Sequence, residues 1–324
     1  MGGDGGPAVA VGAVVDALER WPSLFCELHG RPDVLEPLLR GVPHPLRERL
    51  AVEAAPDVVA MGERPARALR NGRNSSLWRA LEALAEERVD GCVSGGNTGA
   101  LLLIGVKLIG TFPGIERPAL CTALPTAAGR AHLLDMGANL DCDAELLWQF
   151  ARMGSALAAA TSGVPSPRVG LLNVGSEAEK GDAVVREAAA LLEADARINY
   201  CGFVEGDGIF SGRVDVVVCD GFAGNVAIKA AEGVAQLVGG MLRSHLARTP
   251  RARLGAWVAR PALAALLSRL DPAKYNGGSL LGLRRTVVKS RGNASRAGLC
   301  NAIGVALAEV ERKLPERIHE ALAA

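Results

Sequence analysis

The residues with the widest chemical reach lie in DVVVCDGFAGNVAIK, Asp215 to Lys229. There a carboxylate (Asp220), an amide (Asn225) and a cation (Lys229) follow an apolar run and flank two glycines, Gly221 and Gly224. Val216, Val217 and Val218 have the unbroken apolar character of a central strand, and a helical pattern begins near Asn225 and runs from Val226 to Leu242. A strand that turns on glycine into a helix presents free backbone N–H groups at the helix's positive end, which favours an anion. Asn225 and Lys229, four residues apart, share a helix face. The chemistry this points to is anion binding beside a cation.

Four more stretches repeat strand, glycine loop and helix start. SGGNTG places Asn97 and Thr98 after Gly95 and Gly96; it is neither a Walker loop nor GxGxxG, and no acidic residue about 20 positions on follows a strand end, which disfavours a dinucleotide. DMGANLDCD carries Asp135, Asn139 and Asp141; the spacing is not that of a calcium loop, and helix capping accounts for Asp141 or Asp143 without a metal. GSEAEKGD carries Ser176, Glu177 and Lys180. A nucleophilic serine needs an elbow and a marked base, and GxSxG is absent, so Ser176 reads as a phosphate-binding or capping residue. Lys180 has two readings, an anion contact or a surface lysine near a turn. KSRGNAS supplies Lys289, Arg291 and Gly292.

These groups need strands to aim them, at Asp90–Ser94, Pro118–Leu124, His132–Asp135, Arg168–Val174, Asn199–Val204 and Thr286–Lys289, with helices between. In a parallel sheet such loops fall on the carboxyl edge of the strands, so their polar cargo is expected to converge. Earlier in the chain, a helix is expected at Val9–Trp21, a strand at Leu24–Leu28, a helix at Pro32–Leu39, and another capped by Ser75 or Ser76. Composition agrees with a globular α/β chain: 324 residues, 49% hydrophobic and 22% charged, with a net charge of +1 that argues against a nucleic-acid partner. The seven cysteines show no CxxC spacing and suit a reducing compartment. No apolar run reaches the length of a membrane span. Met241 to Leu270 differs from the rest, with six arginines, His245 and no acidic residue. It reads either as a basic apolar helix pair for an anionic membrane surface or as an ordinary amphipathic helix. Arg64, Arg67, Arg70 and Arg73 form a second basic run, fit for an acidic partner or a solvated face.

Taken in order, MGGD, SGGNTGALL, LLDMGANLDC, RVGLLNVGSEAEKGD, GFVEGDGIF, DVVVCDGFAGNVAIKAAEG, YNGGSLLGL and VVKSRGNA resemble the bacterial phosphate acyltransferase family of phospholipid synthesis, the acyl-carrier-protein:phosphate transacylases. The resemblance runs from Met1 to about Ala308. It implies a three-layer α/β/α fold with a mainly parallel sheet, like isopropylmalate dehydrogenases and phosphotransacetylases. The whole chain, 1–324, would form a single catalytic domain with a protruding Arg-rich helical element at about 243–271. The reaction implied is that of a long-chain acyl-carrier-protein thioester with inorganic phosphate, giving acyl phosphate for glycerol 3-phosphate acylation without a cofactor or metal. Expected partners are the acyl carrier protein, a second copy of the chain, an anionic membrane surface and the downstream glycerol-3-phosphate acyltransferase. The expected location is cytoplasmic and peripheral to the membrane.

Matched position by position, the resemblance implies a catalytic set of Asn97, Lys180, Asp220, Asn225 and Lys229. Phosphate would rest on Gly95, Gly96, Thr98, Asp135, Asn139, Ser176, Glu177, Gly221, Gly224 and Lys289, with Asp135, Glu177 and Asp220 orienting cations and amides. Arg248, Arg251, Arg253 and Trp257 would meet the membrane, and Arg64 and Arg67 the carrier protein. Two departures stand out. The family's strand before MGGD is missing, for which a start codon set too far downstream is the simpler account, and Gly5 and Arg291 stand where the family has histidines. Arginine keeps positive charge but does not shuttle a proton at neutral pH. A short-chain acyl-coenzyme A phosphotransacetylase, a non-catalytic membrane scaffold and a dehydrogenase are the alternatives.

Overall fold

A computed structural model describes residues 1–269 and 271–323. In chain order its elements are α1 (Gly6–Arg20), β1 (Cys26–Gly30), α2 (Pro32–Leu39), α3 (His44–Arg47), β2 (Leu50–Ala54), α4 (Pro65–Asn71) and α5 (Ser76–Ala85). Then come β3 (Gly91–Ser94), α6 (Thr98–Leu108), β4 (Ala119–Thr126), β5 (Gly129–Leu134), α7 (Ala144–Ser162), β6 (Arg168–Leu172), α8 (Ala183–Ala194), β7 (Asn199–Val204) and β8 (Val216–Val218). The chain ends with α9 (Gly221–Ala247), α10 (Pro250–Val258), α11 (Arg260–Arg269), β9 (Gly278–Leu281), β10 (Thr286–Lys289), α12 (Arg296–Glu311) and α13 (Leu314–Ala323).

Eight strands form one sheet in the order β3-β10-β9-β4-β5-β8-β6-β7, and β1 and β2 form a separate parallel pair. The alternation of side chains along each strand separates two cores. Ala119, Cys121, Leu134, Val216 and Val218 face α7 and α8, whereas Leu124, Leu133 and Val217 face Ile228 of α9. Leu120, Leu280 and Val287 meet α5 and α6 on that second side. The result is the expected three layers, with helices on both sides of the sheet.

The expectation that all the glycine loops share one edge does not hold. β3–β10, β5–β8, β8–β6 and β6–β7 are parallel, but β10–β9, β9–β4 and β4–β5 are antiparallel. β3 and β10 therefore point opposite to β5, β8 and β6. The loops after Ser94 and Lys289 open on one edge, and those after Leu134, Leu172 and Val218 on the other. The reversals come from the tight β4–β5 hairpin and from β9, a fully buried four-residue strand that is not among those expected from sequence.

The first five residues make no strand. Beside them, the outer edge of β3 and the facing edge of β1 form the side walls of a cavity of about 590 Å³, floored by α5 and roofed by α1 and α12. Met1 is among the lining residues, and its amino group, buried, is held below the usual ammonium range by desolvation.

Candidate active site

α9 joins the two edges. Its N-cap is Asp220, whose carboxylate accepts from the Ala223 N–H at 2.7 Å. Its first turn lies against the loop after β5, where the Gly221 N–H donates to the Asn139 carbonyl at 2.7 Å. That approach requires glycine: a Cβ on Gly221 would lie 2.6 Å from the Asn139 carbonyl oxygen and one on Gly224 1.8 Å from that of Asp135. Asn225 donates to the Met136 carbonyl at 3.1 Å. Over the eleven residues from Gly221 to Glu232 the helix climbs roughly 16 Å, which carries Lys229 and Glu232 across the sheet toward the opposite loops.

A charged cluster forms there. Glu232 contacts Lys229 Nζ at 3.2 Å through Oε2 and the Arg291 guanidinium at 2.7 Å through Oε1. Lys289, at the end of β10 and almost fully buried, is brought down to about 8 chiefly by desolvation; Lys229 pushes it the same way and Asp4 opposes. Asp4 donates its backbone N–H to the Gly292 carbonyl at 2.8 Å, and Gly3 lies against Gly95. The Arg291 N–H donates to Asn276 Oδ1 at 3.0 Å, and Asn276 Nδ2 donates to Ser290 Oγ and the Gly298 carbonyl, both at 2.8 Å. Three cations and two carboxylates thus meet among glycine loops.

Several expected ligands serve the loops instead. Asn97 caps α6 by accepting from Ala100, while its Nδ2 donates to the carbonyls of Met61 and Glu63 at 2.8 Å each. Asp135, wholly buried, accepts from the backbone of Leu120, Gly137, Ala138 and Asn139 and from Asn139 Nδ2. Burial raises its pKa and those bonds oppose the rise. Asn139 also donates to Pro118. The Asn97 amide, the Asp135 carboxylate and the Asn139 Nδ2 group are engaged inside the protein, so these residues hold loop shape. Asp220 is likewise a cap. Ser176, Glu177 and Lys180 are exposed on the loop after β6. Five strand spacings separate β6 from β10, roughly 24 Å, so this loop is no wall of the Lys289 cluster. Thr98 opens α6 beside Gly95 and Gly96, on the cluster's edge of the sheet.

Sequence reasoning passed over Asp4, Glu232 and Asn276. Asp4 and Asn276 sit in the quoted motifs MGGD and YNGGSLLGL, whereas Glu232 carried only its spacing of three from Lys229 as a signal.

A family model described as fatty acid synthesis protein matches residues 1–317. A phosphate acyltransferase of Methylococcus capsulatus is 47% identical over 320 residues, covering 99% of this chain and 94% of its own. One of Pseudomonas putida is 48% identical over 319 residues, covering 98% and 95%. The chain belongs to the phosphate acyltransferase family. Membership makes it an acyltransferase. Among solved structures, the EutD phosphotransacetylase of Staphylococcus aureus superposes with a TM-score of 0.62 at 16% identity over 95% of this chain and 92% of its own. A phosphotransacetylase of Streptococcus pyogenes gives 0.61 at 17%, over 94% and 92%. At that identity the likeness is one of fold.

Proposed function

We propose that this protein transfers a long-chain acyl group from an acyl-carrier-protein thioester to inorganic phosphate. The observation that carries the reading is the convergence of Lys229, Lys289 and Arg291 on glycine loops within this family's chain. A phosphate oxygen attacks the thioester carbonyl carbon; the C–O bond forms, the C–S bond breaks, and the sulfur leaves as a thiolate that then takes up a proton. Phosphate is itself the nucleophile, so catalysis reduces to positioning and to stabilising charge on the carbonyl oxygen. Buried Lys289 and half-buried Arg291 are the groups suited to hold phosphate, with Lys229 and the backbone N–H groups at Thr98 completing the cradle.

The carrier protein is acidic in this reading and docks on Arg64 and Arg67. Both are exposed, at the start of α4, and Asn97 ties the preceding backbone to the glycine loop, which puts that surface next to the phosphate site. α10 and α11 bury no residue, and Arg248, Arg251, Arg253 and Trp257 are all exposed, Trp257 at 71%. Val234, Leu237, Val238 and Met241 of α9, which precede the expected span 243–271, are also exposed, and together these residues make a basic apolar surface that suits an anionic membrane surface and a second copy of the chain. Leu270 lies outside the described residues. No helix among those described is long and apolar enough to cross a membrane. The acyl phosphate product is a mixed anhydride, an activated donor for an acyltransferase that acylates glycerol 3-phosphate.

The test is phosphate-dependent release of carrier-protein thiol from a palmitoyl thioester. Release that saturates with phosphate supports the reading. Faster turnover of a short-chain coenzyme A thioester, or no turnover with membrane binding intact, overturns it in favour of a phosphotransacetylase or a scaffold.

A further inference from the structure

We infer that Glu232 is a resident counter-ion of the phosphate site, holding Lys229 and Arg291 together in the free enzyme and giving way to phosphate on binding. This deepens the reading above and rests on it. Glu232 sits one helical turn beyond Lys229, with its side chain 17% exposed, and one carboxylate oxygen faces each cation. The two cations come from elements far apart in sequence, α9 and the loop after β10, and Lys289 adds a third positive group that already feels Lys229. Asp4 offsets Lys289, and Glu232 is the carboxylate set between Lys229 and Arg291, which would otherwise repel one another. The arrangement imitates a bound oxyanion: a carboxylate presents two acceptor oxygens to an ammonium and a guanidinium, as a phosphate would.

Glu232 Oε1 is buried and, although 2.7 Å from the guanidinium, has no hydrogen bond of acceptable geometry. A buried acceptor left in that state is incompletely satisfied. Inorganic phosphate, with more acceptor oxygens and greater charge, can meet Lys229, Arg291 and Lys289 at once, while Glu232 turns out toward solvent along the exposed side of α9. A purely structural salt bridge makes the opposite prediction, because removing it would loosen Arg291 and weaken phosphate binding.

The experiment measures the KM for phosphate in the thioester assay and, separately, phosphate affinity by calorimetry, for wild type, Glu232→Gln and Glu232→Asp. Displacement predicts that Glu232→Gln binds phosphate about three- to tenfold more tightly, since a competing charge is gone while the shape is kept. Glu232→Asp, too short to span both cations, should bind about twofold more tightly or better, and it carries the test if Glu232→Gln does not fold. A KM and affinity unchanged or weakened in both variants, with wild type binding phosphate normally, overturns this inference alone. Wild type that binds no phosphate overturns both it and the proposed function.

Discussion

The carbonyl oxygen of Asp135 occupies the space that a side chain on Gly224 would need, 1.8 Å from the ideal Cβ position. The first turn of α9 is therefore seated directly on the loop that Asp135 organises. Gly224→Ala must push the helix away, and overpacking of this kind costs about 1–3 kcal/mol or more. Urea unfolding should show that loss together with collapse of thioester turnover. Gly240, in the same helix with open space around it, is the control: Gly240→Ala should gain about 0.8 kcal/mol from helix propensity.

Lys289 loses its charge as pH rises through about 8. If it holds phosphate, kcat/KM for phosphate should fall above that pH, because this parameter reports the free enzyme. Bound phosphate favours the ammonium form, so the matching limb in kcat should lie higher. Lys289→Arg should remove the limb near pH 8. A limb that persists unchanged assigns the titration to another group.

Glu309 of α12 is buried against β9, where Ser279 Oγ donates to it, and desolvation lifts its carboxyl to about 7 from 4.5. The folded state therefore holds this proton at pH values where the unfolded chain has released it. Stability from this group is fully present below pH 4.5 and is lost as pH rises through about 7. Glu309→Gln should stabilise the protein by on the order of 2–3 kcal/mol at pH 8 and by little at pH 4.5, read as the shift in urea midpoint.

The exposed arginines at the end of α9 and in α10 supply a charge test. Changing Arg248, Arg251 and Arg253 together to Glu should lower binding to anionic vesicles by at least about a hundredfold, since each basic residue near such a surface contributes about 1 kcal/mol and the added carboxylates oppose binding further. Thioester turnover in solution should be unaffected. Co-sedimentation equal to wild type would remove these residues from the membrane surface.

The cavity of about 590 Å³ is lined by β1 and β3, which belong to separate sheets. Five strand-forming residues fused ahead of Met1, itself a lining residue, would enter this cavity and pair with both edges. The midpoint of thermal unfolding should rise by at least about 2 °C, and the same fusion broken by proline should give no rise.

Local structure was legible where pattern and burial coincide. Val216–Val218, Asn199–Val204 and Thr286–Lys289 fall where the apolar runs put them. β9 escaped notice because Gly278–Leu281 is only four residues long and follows a glycine turn. Missing it hid the reversal of strand direction, and with it the true neighbours of each loop. Lys229 and Lys289 were legible as cations near glycine turns, but Glu232 was not, since a glutamate inside a helix looks solvated until the loop carrying Arg291 is laid beside it. Asn97 and Asp135 carried the opposite error: polar side chains at a glycine loop read equally well as ligands or as the loop's own fastenings, and only their partners decide.

α9 is one unbroken helix of 27 residues, clamped at its first turn and free of buried side chains beyond Ile228. Pivoting about Gly224, a 5° tilt carries Ala247 through roughly 3 Å but Lys229 through only about 0.7 Å. The helix is a reduction gear: large excursions of the outer end, whatever it rests on, reach Lys229 some fivefold smaller.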